Sequence, residues 1–183
     1  MSGKANRRRV LTSGSPRFLH LAAPSFFRPY TETSIGSETD DQTRVDEVLS
    51  YNPLLRLGLD LASSEGTGTG DRLTALDLRG LDLSGTELVM LTGWEPTETV
   101  GNSWGISGLR QVIVNAGAHS LITNLWPVPD ELRLNFVLDF YGRLKAGSTC
   151  SAPLRATQQQ LRSDNADPAV WGAFVRLGEV DTT

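Results

Sequence analysis

The stretch GISGLRQVIVNAGAHSLITNLWPVPDE, residues 105 to 131, changes its hydrophobic period halfway along. Ile106, Leu109, Ile113 and Ala116 recur at helical spacing, and Gly117 is the residue type that stops a helix. SLITNLW, 120 to 126, then reads as a strand. Asp130 to Lys145 returns to helical spacing, with Leu134, Val137, Leu138 and Tyr141 on its apolar side and Gly147 past its end. Helix, strand and helix in succession predict an α/β fold.

The flanking segments extend the pattern. RFLHLAA, 17 to 23, is a short apolar run with apolar residues on both sides of its pleat, which predicts a strand central in the sheet. LLRLGLDLA, 54 to 62, alternates as a second strand does. Thr74 is placed to cap a short helix through Leu78, ahead of a strand at 87 to 92. Pro153 suits the first turn of a helix reaching Arg162, and WGAFVRL, 171 to 177, returns as a strand. Strands alternating with helices imply a largely parallel sheet.

Other stretches carry less. Residues 30 to 50, rich in Thr, Ser, Asp and Glu, read as an exposed loop with a helical turn near Val45 to Leu49. SSEGTGTGDR, 63 to 72, is a flexible connection, because Gly66, Gly68 and Gly70 lack the GxGxxG spacing and the GK[ST] ending of phosphate loops. The echo of LDLRG in LDLSG is too short for a repeat fold, which needs about three units to bury a continuous core.

At 183 residues the chain suits one domain with one core. Seventeen basic residues against 21 acidic ones give a net charge of −4, which does not favour a nucleic-acid surface. The exception, Lys4-Ala5-Asn6-Arg7-Arg8-Arg9, reads as a solvated tail without assigned function. The expected division is a basic, disordered segment at 1–16, a domain at 17–178 and a C-terminal tail at 179–183. Neither a secretory h-region nor a run of ~18 apolar residues is present, so a cytoplasmic protein without membrane contact is expected. The single cysteine, Cys150, permits no internal disulfide and no zinc cluster. His20 and His119 are the only histidines, which limits general-base chemistry, and no metal or cofactor is expected.

LHLAAPSFF, 19 to 27, resembles the LHLATHGFF strand and loop of the CHAT family, bacterial caspase-like cysteine peptidases often joined to TPR helical repeats. NPLLRLGLDLA (52–62), LTALDLRGLDLSGTELVMLT (73–92), GISGLRQVIVNAGAHSLITNLWPVPDE (105–131) and WGAFVRLG (171–178) are similar to that family in the same order. The resemblance implies a caspase-like three-layer sandwich, with a mainly parallel central sheet and helices on both faces. It also implies an N-terminally shortened domain, since the family has a further α/β portion ahead of the LHLATHG strand. Oligomerisation through an uncovered strand edge is a consequence to expect.

Family catalysis uses a thiolate that attacks a carbonyl and an imidazole that handles the proton. The family's THG falls on Ala23-Pro24-Ser25, and its SACET on Thr92-Gly93-Trp94-Glu95-Pro96. Pro24 therefore stands where the base is expected and Trp94 where the nucleophile is expected, and neither side chain performs that chemistry. The resemblance thus implies a pseudopeptidase that acts by binding. Its vestigial cleft would comprise Ser25, Thr92, Gly93, Trp94, Glu95 and Trp126, with Trp94 either packed in the core or plugging the pocket. The implied partners are a peptide, a TPR-type protein or an active CHAT peptidase. The alternative is an active endopeptidase with a relocated nucleophile, Cys150 or Thr92. Against it, Thr92 has no base identifiable from the sequence, Cys150 reads as a structural thiol, and His119 as structural or exposed. His20 lies four residues and ~13 Å back along its strand from Pro24 and reads as a core histidine.

Overall fold

The computed structural model describes residues 7–27, 52–61, 71–93, 103–144, 150–164 and 167–178. Two sheets organise them. The larger contains β1 (Phe18–Ala22), β5 (Leu88–Thr92), β6 (Ser120–Asn124) and β7 (Phe174–Gly178) in the order β1-β5-β6-β7. The first three run parallel, with Ala22 beside Thr92 and Leu91 beside Thr123, and β7 returns antiparallel along β6. The smaller sheet is antiparallel and joins β2 (Ser25–Phe27), β3 (Leu57–Leu61) and β4 (Asp71–Thr74) in that order.

Every residue of β5 and β6 is buried, which requires cover on both faces. Val89, Leu91 and Leu121 face one cluster, closed by α2 (Ala75–Arg79), α3 (Ser103–Asn115) and the smaller sheet through Leu78, Leu109, Ile113, Leu59 and Leu73. Leu88, Met90 and Ile122 face the other, closed by α4 (Asp130–Leu144), α5 (Ser151–Ser163) and α6 (Pro168–Trp171). The result is a three-layer α/β sandwich with a mainly parallel sheet. In the second cluster the rings of Phe136 and Phe174 stack at 3.6 Å between centroids. Both are essentially inaccessible, as is Phe140.

Local signals set the element ends. The Thr74 hydroxyl accepts the Asp77 N–H at 3.2 Å, and the Asp77 carboxylate accepts the Thr74 N–H at 2.9 Å, a reciprocal cap at the start of α2. Gly117, after α3, has φ +103 and lies against the Ser84 backbone, where a Cβ would come within 2.9 Å.

Several expectations are corrected. β1 was expected to be central but stands at the edge of the sheet among the described residues, because apolar residues on both sides of a pleat report covered faces and say nothing about neighbouring edges. The segment expected as a loop after Ala23 enters β2 at Ser25. LLRLGLDLA begins in a 3₁₀ turn over Pro53–Leu55, and its strand joins the smaller sheet. Asp71 and Arg72, expected in a flexible connection, pair with β3. Trp171 belongs to α6, so the last strand starts at Phe174. Leu134 and Leu138 are exposed at 55% and 62%, since Phe136 and Phe140 bury more apolar area and turn α4 towards the sheet.

The basic segment expected to be disordered forms α1 (Arg7–Leu11) over its second half. Val10 is buried in the first cluster. Arg7 donates twice to Asp77, at 2.7 and 3.2 Å, so the segment is fixed by one apolar anchor and one bidentate ion pair. Residues 30–50, Gly66, Gly68 and Gly70 lie outside the described residues.

Phe136→Ala should lower the unfolding free energy by about 3–5 kcal/mol, because it removes a fully buried ring with two aromatic neighbours. Urea unfolding followed by circular dichroism measures the loss. A change below about 1 kcal/mol would mean that the second cluster is not packed as described.

Candidate functional site

The parallel register brings the carboxyl ends of β1, β5 and β6 level with one another, so the residues that follow share one end of the sheet. This is where open α/β sheets place ligands. Pro24 and Trp126 each stand two residues beyond a strand end, at β1 and β6. Trp94 has the same place after β5, but Trp94 and Glu95 lie outside the described residues.

Pro24 joins the two sheets. The Ala23 N–H still donates to the Thr92 carbonyl at 3.1 Å, within the larger sheet. The Pro24 carbonyl accepts the Asp60 N–H at 2.9 Å, in the smaller one. The change of sheet happens across this single exposed residue, and a fixed φ with no N–H to satisfy suits it. Ser25, half-buried, is the first residue of β2, opposite Leu59. Gly93 adopts φ +91 with its Cα against Ala23, where a Cβ would stand 3.2 Å from the Ala23 oxygen. A side chain at 93 would therefore press on the start of the Pro24 joint.

The polar residues at this end point to the α4 and α5 side. Thr92, 2% exposed, and His20 lie on the same face of neighbouring strands, and His20 Nε2 is 2.8 Å from Thr92 Oγ1. Thr92 thus has an imidazole beside it, contrary to the expectation that no base is near. The signal was present in strand parity. In a parallel pair whose ends coincide, His20 is directly beside Met90 and diagonal to Thr92 on one face. The Tyr141 ring from α4 leans on His20, with 5.7 Å between centroids. Burial pushes the Tyr141 phenol up to about 12, with a smaller contribution from Cys150, so it stays protonated at neutral pH.

Asn124, level with Thr92 on β6, is buried and donates through Nδ2 to the Trp126 carbonyl at 2.9 Å. This bond fixes the turn that carries Trp126. The Trp126 indole N–H donates to the Ala169 carbonyl of α6, and its ring lies beside Gly172. Trp126 is therefore held against α6 at the carboxyl end of the sheet, with part of its ring exposed. Cys150 is buried in the second cluster at the start of α5 and makes no side-chain cap bond to that helix. His119 is exposed, and its backbone N–H donates to the Thr86 carbonyl.

Burial lowers the His20 pKa from its ordinary 6.5. The folded protein therefore keeps the imidazole neutral at pH values where the unfolded chain takes up a proton. The His20 contribution to stability is intact above pH 6.5 and declines as pH falls below it. As pH falls below 6.5, unfolding free energy should fall more steeply for the unmodified chain than for His20→Gln. Chemical unfolding at fixed pH values checks this, and parallel pH slopes would overturn it. At constant pH above 6.5, Thr92→Val should cost about 1–3 kcal/mol by leaving the half-buried imidazole without its partner.

Among the described residues no group of three or more His, Cys, Asp or Glu is placed to hold a metal ion. Among them, too, no helix is long and apolar enough to cross a membrane.

Comparison with known proteins bears on the same scaffold. A family model described as the CHAT domain matches residues 1–179. Tetratricopeptide repeat protein 28 of Mus musculus is 30% identical over 156 residues, 84% of this chain and 6% of that protein. Tetratricopeptide repeat protein 28 of Homo sapiens is 28% identical over the same length, again 84% of this chain and 6% of that protein. The chain spans only that 6% of these relatives' length. With the match covering nearly its whole length, the chain belongs to the CHAT domain family.

Proposed function

We propose that the chain is a catalytically inactive CHAT-type pseudopeptidase that acts by binding, as a cytoplasmic regulatory or docking subunit of a TPR-containing or peptidase assembly. The observation that carries this reading is the role of Pro24. The residue at the expected base position has no titratable group, and its carbonyl and fixed φ serve the junction between two sheets. Chemistry cannot be supplied from there. The nearby imidazole, His20, is turned into the sheet towards a hydroxyl that is itself 2% exposed. The relatives named for tetratricopeptide repeats support a partner built of helices, and the cleft end of the sheet supports an extended peptide as a second ligand class.

One observation favours a second reading, an active hydrolase with a relocated nucleophile. Thr92 and His20 stand at hydrogen-bond distance, as a nucleophile and its base do. The burial of Thr92 weighs against it, because an attacking oxygen must reach a carbonyl outside the sheet.

Incubation with a diverse peptide library, read by mass spectrometry, separates the two. The unmodified chain should leave the library intact, and a Pro24→His/Trp94→Cys double variant should cleave a subset of it. A restored base alone contributes about 10²- to 10⁴-fold. Cleavage by the unmodified chain that is lost in Thr92→Val or Cys150→Ala would overturn the pseudopeptidase reading.

A further inference from the structure

Among the described residues β1 is hydrogen-bonded along one edge only. Its odd-numbered residues face β5, as the Ala23 N–H donating to Thr92 and the Arg17 carbonyl accepting from Glu87 show. Peptide groups alternate in direction along a strand, so the N–H and C=O groups of Phe18, His20 and Ala22 point to the opposite edge. Among the described residues no strand lies there. The side chains of Phe18 and Ala22 are both exposed, Phe18 at 37%.

Unpaired backbone donors and acceptors at strand spacing select one kind of occupant, another extended backbone. The sequence of this edge is complementary to itself. Set antiparallel about a two-fold axis at His20, two copies place His20 opposite His20 and Phe18 opposite Ala22. All three are outward-bonding residues, so each opposed pair exchanges two N–H···O bonds. The large exposed ring falls across the small residue, which leaves it room, and no charged side chain faces a like charge across the pair. Pro24 then acquires a second role. Position 24 is the next outward-facing position; it has no N–H and its carbonyl is taken by the Asp60 N–H of the smaller sheet, so the free edge ends after Ala22. The pairing is therefore short and closed. Each copy uses its own edge once, which gives a dimer and not an open array.

We propose that two copies of this chain associate through antiparallel pairing of their β1 edges, joining two four-stranded sheets into one. The inference is independent of whether the cleft binds peptide or retains chemistry.

Sedimentation equilibrium of the full chain from about 1 to about 500 µM tests it, a range suited to a short interface of micromolar affinity. The mass should rise from 19.9 kDa towards twice that value. Ala22→Pro removes an outward N–H while leaving every bond to β5, and Phe18→Lys charges the edge. Each should weaken association at least about tenfold, or about 1.4 kcal/mol. The Leu134→Lys/Leu138→Lys variant alters the exposed pair on α4 and should associate as the unmodified chain does. In the dimer, amide exchange should slow at Phe18, His20 and Ala22, a reading that needs no variant. A single monomer mass across the range overturns the proposal and leaves the edge to a strand of another chain. A dimer that survives both edge variants, dissolves with the α4 variant, or leaves those three amides exchanging at the monomer rate overturns it equally.

Discussion

Covering both faces of β5 and β6 is the constraint that the other elements answer to. Five consecutive residues on each of two neighbouring strands are buried, and none of their side chains faces water. Such strands need a layer on each side, and the chain supplies α4, α5 and α6 on one and α3, α2 and the smaller sheet on the other. The parallel register follows from this arrangement, because each strand is reached by a crossover through one of the layers. With the register fixed, the ends of β1, β5 and β6 must coincide, and whatever follows them is gathered at one end of the sheet. The gathering of these residues is thus a consequence of how the core is covered.

Within that frame, the change of sheet at Pro24 decides what this end can do. The chain leaves the larger sheet at Ala23 and enters the smaller one at Ser25, so a single residue must serve both hydrogen-bonding systems. A proline meets that demand by lacking the N–H that would have to be placed. Behind it His20 pairs with the Thr92 hydroxyl, and Asn124 Nδ2 donates to the Trp126 carbonyl. This is how polar groups are kept inside a sandwich without large cost. Gly93 locks the two strand ends together by its approach to Ala23. The strand ends are therefore well determined.

How much of this was legible in the sequence follows from what periodicity measures. The α3 to β6 unit was readable because Gly117 separates a period of 3.6 from a strand, and the cap of α2 was readable because Thr74 is a local signal. Faces were legible and edges were not, so β1 was recognised as a strand and misplaced in the sheet. α4 has more apolar residues than one face can hold, and the pattern alone could not say that Phe136 and Phe140 would displace Leu134 and Leu138. α1 has only Val10 and Leu11 as apolar residues, too few to show as a pattern, and its anchor on Asp77 is 70 residues away. At the site, the positions Pro24 and Trp126 were found by resemblance, whereas the His20 and Thr92 pair needed strand order, a long-range property that no short motif carries.

The separation of core from strand ends has a further consequence for how function and stability divide. Residues that hold the fold, such as Leu88, Met90, Leu121 and Phe136, lie inside the strands and under the helices. The positions that the family uses for chemistry lie one or two residues beyond, where Pro24 is exposed and makes its one backbone bond through a carbonyl that any residue possesses. Exchange at such a position leaves both apolar clusters untouched and alters only what the end of the sheet presents. A CHAT scaffold can on this account lose a base without losing its packing. What remains is a sheet end with fixed strand ends, a tryptophan held against α6 and, among the described residues, the unpaired edge of β1 beside it.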